Sequence, residues 1–148
     1  MELNRKIYDS LLAWKKNRQG KTALLIEGAR RIGKSYIATQ FGKQEYRSYL
    51  LVDFSRITKS VLAIFEEDIM DLDTFFLKLS VTYGIQLYPR ESLIIFDEVQ
   101  MYPLARQLIK HLVADGRFDY IEIPDYAQKK CREYCYSVGR RTFSHASA

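Results

Sequence analysis

The sequence predicts an α/β fold in which a mostly parallel sheet is flanked by helices. Two observations support it. Short apolar runs alternate with segments of helical periodicity, and a G-x4-G-K-[ST] pattern stands between the first apolar run and the next helical segment. Alternation of this kind is typical of βαβ units, whose parallel strands are covered by helices on both faces. A chain of 148 residues is long enough for one such domain.

Each element follows from its own local pattern. Apolar runs bounded by polar residues predict four strands, at 23–27, 48–54, 91–97 and 118–123. Apolar residues at helical spacing predict five helices, at 3–16, 34–42, 57–69, 73–83 and 103–115. Asp73 is the predicted N-cap of the fourth helix, and Gly42 is the predicted stop of the second. In the fifth helix, which Pro103 opens, we expect Leu104, Leu108 and Leu112 to share one face.

Composition excludes several classes of protein. Hydrophobic residues make up 47% of the chain and charged residues 28%, with only seven Gly and three Pro, which excludes collagen-like and low-complexity chains. No apolar run approaches the ~20 residues that cross a bilayer. The N-terminus lacks the apolar region of a secretory signal, so we expect a cytoplasmic protein without a membrane partner.

The net charge of +5 is unevenly distributed. Residues 124–148 hold five basic and two acidic side chains, so more than half of the excess lies there and not on the predicted domain. A nucleic-acid-binding module is therefore disfavoured, although a steep salt-dependent affinity for DNA would revive it. Cys131, Cys135 and His145 lie in the same segment, and three candidate ligands without a fourth make a structural zinc site improbable.

The sharpest motif is Gly28-Ala29-Arg30-Arg31-Ile32-Gly33-Lys34-Ser35. Its glycines let the backbone wrap closely around phosphate oxygens, and successive N–H groups and the helix N-terminus favour an anion. Lys34 is placed to reach the β- and γ-phosphates, and the Ser35 hydroxyl to ligate Mg²⁺. The alternative is a glycine turn with an incidental lysine, which the preceding strand and following helix disfavour.

A second candidate motif ends the third predicted strand. Asp97 and Glu98 follow four apolar residues, at the sheet edge where open α/β folds bind ligands. We expect Asp97 to hold Mg²⁺, and Glu98 to orient and deprotonate the water that attacks the γ-phosphate. Alone the pair is a weak signal, and its alternative is a helix N-cap before Pro103, but the two motifs together supply complementary halves of one Mg-nucleotide site.

At these residues the chain resembles the AAA-type P-loop ATPases of archaea and bacteria that carry a C-terminal domain of unknown function. The resemblance covers about residues 1–122. It includes the first helix, the Gly28–Ser35 loop, the Asp53 strand end, the Ile95–Gln100 stretch and the approach to the last predicted strand. It implies an AAA-type P-loop core that binds ATP and Mg²⁺, with Lys34 and Ser35 as Walker A residues and Asp97 and Glu98 as Walker B residues. It also implies self-association or a protein partner.

After Ile123 the resemblance ends. The family continues with a polar Thr-Gly-Ser stretch that contains a sensor residue, whereas this chain has Pro124 and Asp125. From Pro124 onward Val138 alone represents Ile, Leu, Val and Met. We therefore expect residues 1–123 to form a partial AAA domain, and residues 124–148 to be a divergent, disordered tail that adds no strand.

The tail has the properties of a reading-frame slip. With synonymous codons chosen freely for Ala127 to Ser147, the adjacent frame reads L-R-K-N-V-V-S-I-V-I-P-S-E-E-E-H-F-P-M-H, which resembles the family's continuation. Sequencing the locus tests this hypothesis. The predicted function is Mg-ATP binding with hydrolysis, with a defective ATPase fragment that has no turnover as the alternative. Release of phosphate discriminates between these two.

Overall fold

Helices and strands alternate along the chain in the computed structural model, which describes residues 2–27, 33–125 and 141–144. The strands of these residues are β1 (Leu24–Glu27), β2 (Ser48–Asp53), β3 (Ser92–Asp97), β4 (Asp119–Ile123) and β5 (Arg141–Ser144). The α-helices are α1 (Glu2–Arg18), α2 (Lys34–Glu45), α3 (Lys59–Glu67), α4 (Leu72–Tyr83) and α5 (Ala105–Asp115).

The strands form one sheet in the order β2-β3-β4-β1-β5, and every neighbouring pair is parallel. The predicted α/β fold with a mostly parallel sheet is therefore confirmed. The register pairs Asp53 with Asp97 and Asp97 with Ile123, so β2, β3 and β4 all end along one edge of the sheet. This edge is where the predicted site residues of β3 must lie.

Alternate residues of each strand pack into two separate apolar clusters. In β3, Leu93 and Ile95 belong to the cluster beneath α1 and α2, whereas Ile94 and Phe96 belong to the cluster beneath α3, α4 and α5. Because side chains of a strand point alternately to opposite faces, a strand covered on both faces must be apolar at nearly every position. This requirement explains the continuous apolar run that predicted β3.

The helix α2 lies close against β2 because a glycine sits at the contact. A Cβ atom on Gly42 would lie 2.8 Å from the Cβ atom of Tyr49, so a larger residue would force the helix away from the strand. The sequence predicted that Gly42 ends this helix, but α2 continues to Glu45. The glycine therefore serves packing rather than termination.

The structure corrects two other local predictions. The N-cap of α4 is Asp71, whose carboxylate accepts hydrogen bonds from the amide and hydroxyl of Thr74, and Asp73 lies within the first turn. In α5, Leu104 precedes the helix and is 53% exposed. The buried face of that helix consists of Ala105, Leu108, Ile109 and Leu112.

Residues Arg141–Ser144 differ from the expectation that nothing after Ile123 joins the sheet. They form β5, which pairs with β1 from Leu24 to Glu27, on the side of β1 opposite β4. The predicted disorder of the remaining tail, at 126–140 and 145–148, concerns residues outside those described. None of the described helices is long and apolar enough to span a membrane.

Candidate functional site

The predicted site residues that the structure describes meet at the carboxyl edge of the sheet. Lys34 and Ser35 form the first turn of α2, Asp97 is the last residue of β3, and Glu98 follows it. The other residues of the loop motif lie outside the described part of the chain: Gly28, Ala29, Arg30, Arg31 and Ile32. The two motifs therefore come together in space, although Ser35 and Asp97 lie 62 positions apart in the sequence.

Gly33 begins α2 in a conformation that favours glycine. Its φ angle is +77° and its ψ angle is 32°, which is the left-handed region. A Cβ atom there would meet no other atom within 4 Å, so the backbone conformation and not crowding explains the glycine. The helix begins at this edge of the sheet, where Ser35 contacts Asp97, and a helix N-terminus favours an anion.

The Ser35 hydroxyl joins the two motifs directly. Ser35 Oγ donates a hydrogen bond of 2.6 Å to Oδ2 of Asp97. The other carboxylate oxygen of Asp97, Oδ1, accepts a bond of 2.9 Å from the backbone N–H of Glu98. Two hard oxygen donors, one hydroxyl and one carboxylate, are therefore held side by side at the end of β3.

The Asp97 carboxyl lies in an environment that disfavours its charge. Burial raises its pKa above the ordinary value, and the nearby Asp53 acts in the same direction. The hydrogen bonds from Ser35 and Glu98 and the charge of Lys34 lower this pKa, but burial dominates. A cation placed beside Asp97 would relieve this unfavourable burial of negative charge.

Glu98 has an unusual backbone conformation. Its φ of 55° and ψ of 43° place a non-glycine residue in the left-handed region, which costs roughly 1–3 kcal/mol. Its side chain is half-buried, and Oε1 accepts a hydrogen bond of 2.7 Å from Nε2 of Gln100. Such strain at a sheet edge is typical of functional sites, and here it turns the chain into the short 3-10 helix Val99–Met101.

Lys34 contacts the segment that follows β4. Its side chain is 8% exposed, and Nζ donates a hydrogen bond of 3.3 Å to the carbonyl oxygen of Pro124. Pro124 therefore contributes a backbone acceptor to the site. The sequence marked this position only as a departure from the family, because no side-chain pattern signals a carbonyl that points at a lysine.

These residues enclose a cleft of about 220 Å³. Its lining consists of Gly33, Lys34, Ser35, Tyr36, Asp97, Glu98, Ile123, Pro124 and Asp125. Within the described residues no cluster of three or more His, Cys, Asp or Glu is arranged to hold a metal ion. A metal in this cleft would therefore have protein ligands drawn from few side chains, with the remainder supplied by another molecule or by water.

Sequence reasoning assigned no role to Gln100. It lies within the Ile95–Gln100 stretch that carried the family resemblance, but its spacing from Glu98 does not by itself indicate a contact. Its side chain bridges Glu98 and the backbone of Asp125: its Nε2 donates to Glu98, and its Oε1 accepts a hydrogen bond of 2.9 Å from the Asp125 N–H. This contact follows only from the fold, because β4 brings Asp125 to the carboxyl edge of the sheet beside Gln100.

Comparison with known families gives one match. A family profile described as an AAA domain matches residues 20–123, which is more than two thirds of the chain. A search of the curated proteins found no match.

Solved structures share the fold at low sequence identity. A structure of PCH-2 from C. elegans superposes with a TM-score of 0.57 at 9% identity, covering 96% of this chain and 41% of that one. A chain from the structure of Drosophila ORC bound to DNA superposes with a TM-score of 0.58 at 12% identity, covering 97% of this chain and 90% of that one. This chain thus spans less than half the length of the PCH-2 chain. At these identities the similarity concerns the fold alone.

Proposed function

Because the chain belongs to the AAA domain family of nucleotide-binding ATPases, we propose that it binds Mg-ATP in the cleft between α2 and β3 and hydrolyses it to ADP and phosphate. One observation carries the proposal: Ser35 Oγ and Asp97 Oδ2 are 2.6 Å apart, and both line the same cleft as Lys34 and Glu98. A hydroxyl, a carboxylate, an ammonium group and a second carboxylate are the side chains that nucleotide hydrolysis requires.

The phosphates would be bound at the N-terminus of α2. Lys34 supplies the positive charge, and Gly33 and Ser35 begin a helix whose free amides face an anion. The loop from Gly28 to Ile32 completes the proposed phosphate-binding segment. The cleft is smaller than the roughly 300–1,000 Å³ of pockets that enclose a whole drug-sized ligand, so it suits the phosphate end of ATP.

The donor set beside the phosphates fits Mg²⁺. This ion prefers oxygen ligands and is usually held by one or two protein groups together with phosphates and water, so Ser35 and Asp97 suffice on the protein side. The buried Asp97 carboxyl, whose pKa is raised, favours a cation at this position. When bound, Mg²⁺ would neutralise charge that develops on the phosphate oxygens.

Glu98 is the proposed general base. It would accept a proton from the water whose oxygen forms a bond to the γ-phosphorus, while the bond from that phosphorus to the β,γ-bridging oxygen breaks and ADP leaves. Its side chain lines the cleft, and its Oε1 accepts a hydrogen bond from Gln100, so Oε2 is the oxygen proposed to take the proton. Lys34 would stabilise the negative charge on the transferred group.

The alternative is Mg-ATP binding without turnover. It is favoured by the segment after β4, where Ile123, Pro124 and Asp125 replace the polar sensor stretch of the resembling family and the Pro124 carbonyl holds Lys34. A site of this kind would bind nucleotide once Lys34 exchanges that carbonyl for phosphate, but it would lack a side chain that responds to the γ-phosphate.

Calorimetric titration with Mg-ATP, followed by a phosphate-release assay on the same protein, tests both possibilities. Saturable binding with release of one phosphate per ATP consumed supports the proposed hydrolysis. Binding without release supports the alternative. If neither Mg-ATP nor ADP gives a heat change on titration, nucleotide binding itself is contradicted.

A further inference from the structure

The side chain of Gln100 makes two hydrogen bonds to different parts of the site. Its Nε2 donates to Oε1 of Glu98 at 2.7 Å, and its Oε1 accepts from the backbone N–H of Asp125 at 2.9 Å. Gln100 is half-buried in the 3-10 helix Val99–Met101, and both residues that it contacts, Glu98 and Asp125, line the cleft.

The segment Pro124–Asp125, which contacts Gln100, also contacts Lys34. The Pro124 carbonyl accepts from Lys34 Nζ, and the next peptide N–H, that of Asp125, donates to Gln100. Two of the ionisable side chains of the cleft, Lys34 directly and Glu98 through Gln100, are therefore connected to adjacent peptide groups after β4. Any movement of this segment acts on both.

We propose that Gln100 is a positioning residue, which orients the Glu98 carboxylate and makes that orientation depend on the Pro124–Asp125 segment. This inference rests on the proposed function of Glu98. Gln100 is not among the residues that line the cleft. It acts through Glu98, by fixing one carboxylate oxygen so that the other is presented to the cleft.

Glutamine has the required chemistry because a primary amide carries a donor and an acceptor at the end of one side chain. Methionine has a similar length but forms neither strong bond. Glutamate keeps an acceptor for Asp125 but would place a second carboxylate against Glu98, and two like charges in contact repel. These differences allow the bridge to be tested without a large change in side-chain volume.

The first experiment measures the bridge without requiring turnover. In ¹⁵N-labelled protein, the backbone amide signal of Asp125 is followed in Glu98→Ala, Gln100→Met and the double variant. We expect Glu98→Ala to shift the Asp125 signal in the wild-type background and to leave it unchanged in the Gln100→Met background. Gln107→Met is the matched control, because Gln107 is an exposed glutamine on α5. If Glu98→Ala leaves the Asp125 amide signal unchanged in the wild-type background, the proposal is overturned.

The second experiment separates positioning from binding. We expect Gln100→Met to lower kcat about tenfold or more, since small misplacements of a catalytic group can cost up to about a hundredfold, and to leave the Mg-ATP dissociation constant within about twofold. Gln100→Glu should lower kcat further. An unchanged kcat in Gln100→Met, with normal turnover by the wild type, would contradict the inference.

A Mg-ATP titration of the same labelled samples distinguishes the two levels of the argument. If no nucleotide binds, the proposed function fails whatever the Asp125 signal does. If nucleotide binds and the Asp125 signal does not report on Glu98, the positioning role of Gln100 fails and the proposed function stands.

Discussion

Lys34 Nζ donates a hydrogen bond of 3.3 Å to the carbonyl oxygen of Pro124, which connects the first turn of α2 to the segment after β4. The lysine is 8% exposed, so its charge is directed into the cleft rather than into solvent. Because a phosphate is a stronger acceptor for an ammonium group than a carbonyl, we expect Lys34 to exchange Pro124 for nucleotide.

The first prediction concerns this lysine. Lys34→Ala should weaken Mg-ATP binding tenfold or more, because a hydrogen bond to a charged group contributes about 1.5–3 kcal/mol. Isothermal titration calorimetry measures the effect. Lys43→Ala, an exposed lysine in the last turn of the same helix, is the control and should bind as the wild type does. Equal affinities for the wild type and the Lys34 variant would exclude Lys34 from the phosphate site.

The second prediction assigns the base. Glu98→Gln should abolish phosphate release and leave the Mg-ATP affinity nearly unchanged, because the amide keeps the shape of the side chain but cannot take a proton. Glu67→Gln, an exposed carboxylate at the end of α3, controls for the loss of one negative charge. Release at the wild-type rate by the Glu98 variant would place the catalytic base elsewhere.

The third prediction concerns Asp97 and Mg²⁺. Asp97→Asn should weaken the dependence of nucleotide binding on Mg²⁺, since the neutral amide is a poorer ligand for a hard cation. Titrations with ATP in Mg²⁺ and in EDTA measure it. The ratio of the two affinities should fall toward one in the variant and stay large in Asp9→Asn, an exposed carboxylate on α1. An unchanged ratio would remove Asp97 from the metal site.

The same substitution should also stabilise the protein at neutral pH. The pKa of Asp97 is raised in the folded state, so the folded protein binds this proton more tightly than the unfolded chain. Stability is then lost as pH rises above the unfolded value near 3.8, through the raised pKa. Asp97→Asn lacks this loss, so its melting temperature should exceed that of the wild type at pH 7 and approach it near pH 4. A lower melting temperature of Asp97→Asn at pH 7 would contradict the expectation that the buried Asp97 charge destabilises the folded protein.

The fourth prediction concerns a buried pair at the opposite edge of the sheet. The Tyr46 hydroxyl donates a 2.5 Å hydrogen bond to Asp119, which also accepts from Arg90. Burial and the Asp119 charge raise the pKa of Tyr46 well above its ordinary value of 10. The protonated Tyr46 hydroxyl therefore stabilises the fold fully below pH 10. This stabilisation is lost as the pH rises above 10, because Tyr46 in the unfolded chain releases its proton first.

Replacing this tyrosine should expose that linkage. Tyr46→Phe should lower the free energy of unfolding at pH 7 by about 1–3 kcal/mol, because the buried Asp119 carboxylate loses one donor. The difference from the wild type should narrow between pH 10 and pH 11. Urea unfolding at both pH values measures it, with Tyr36→Phe on an exposed tyrosine as the control. A difference that does not change with pH would show that the Tyr46 hydroxyl does not contribute through its proton.

Local patterns predicted most of the elements but not all of their boundaries. Continuous apolar runs identified β1 to β4, because a strand buried on both faces leaves few polar positions. Helix ends depend on contacts that the pattern does not specify: Asp71 and Asp73 are both acceptable N-caps in sequence, and the hydrogen bond from Thr74 identifies Asp71 as the cap. The sequence predicts a helix end at Gly42 because glycine commonly ends helices, whereas in the structure this glycine leaves room for Tyr49.

The candidate site shows the same division. Lys34, Ser35, Asp97 and Glu98 follow from two motifs, because the type and spacing of these side chains carry the chemistry. The fold was needed to show that the Ser35 hydroxyl lies 2.6 Å from Asp97, and that Gln100 bridges Glu98 to Asp125. These contacts depend on β3 and β4 being neighbours in parallel register, and that pairing is a non-local property.

The amino-acid sequence is sufficient to predict the α/β class, the strands β1 to β4 and the candidate phosphate, metal and catalytic residues. Local periodicity and residue chemistry encode these features. The tertiary structure alone decided the strand order, the addition of β5 beside β1 and the contacts of Pro124 and Asp125 with Lys34 and Gln100. Backbone groups that any residue carries make these connections. A side-chain pattern cannot predict these contacts, because they form only when the sheet brings distant segments to one edge.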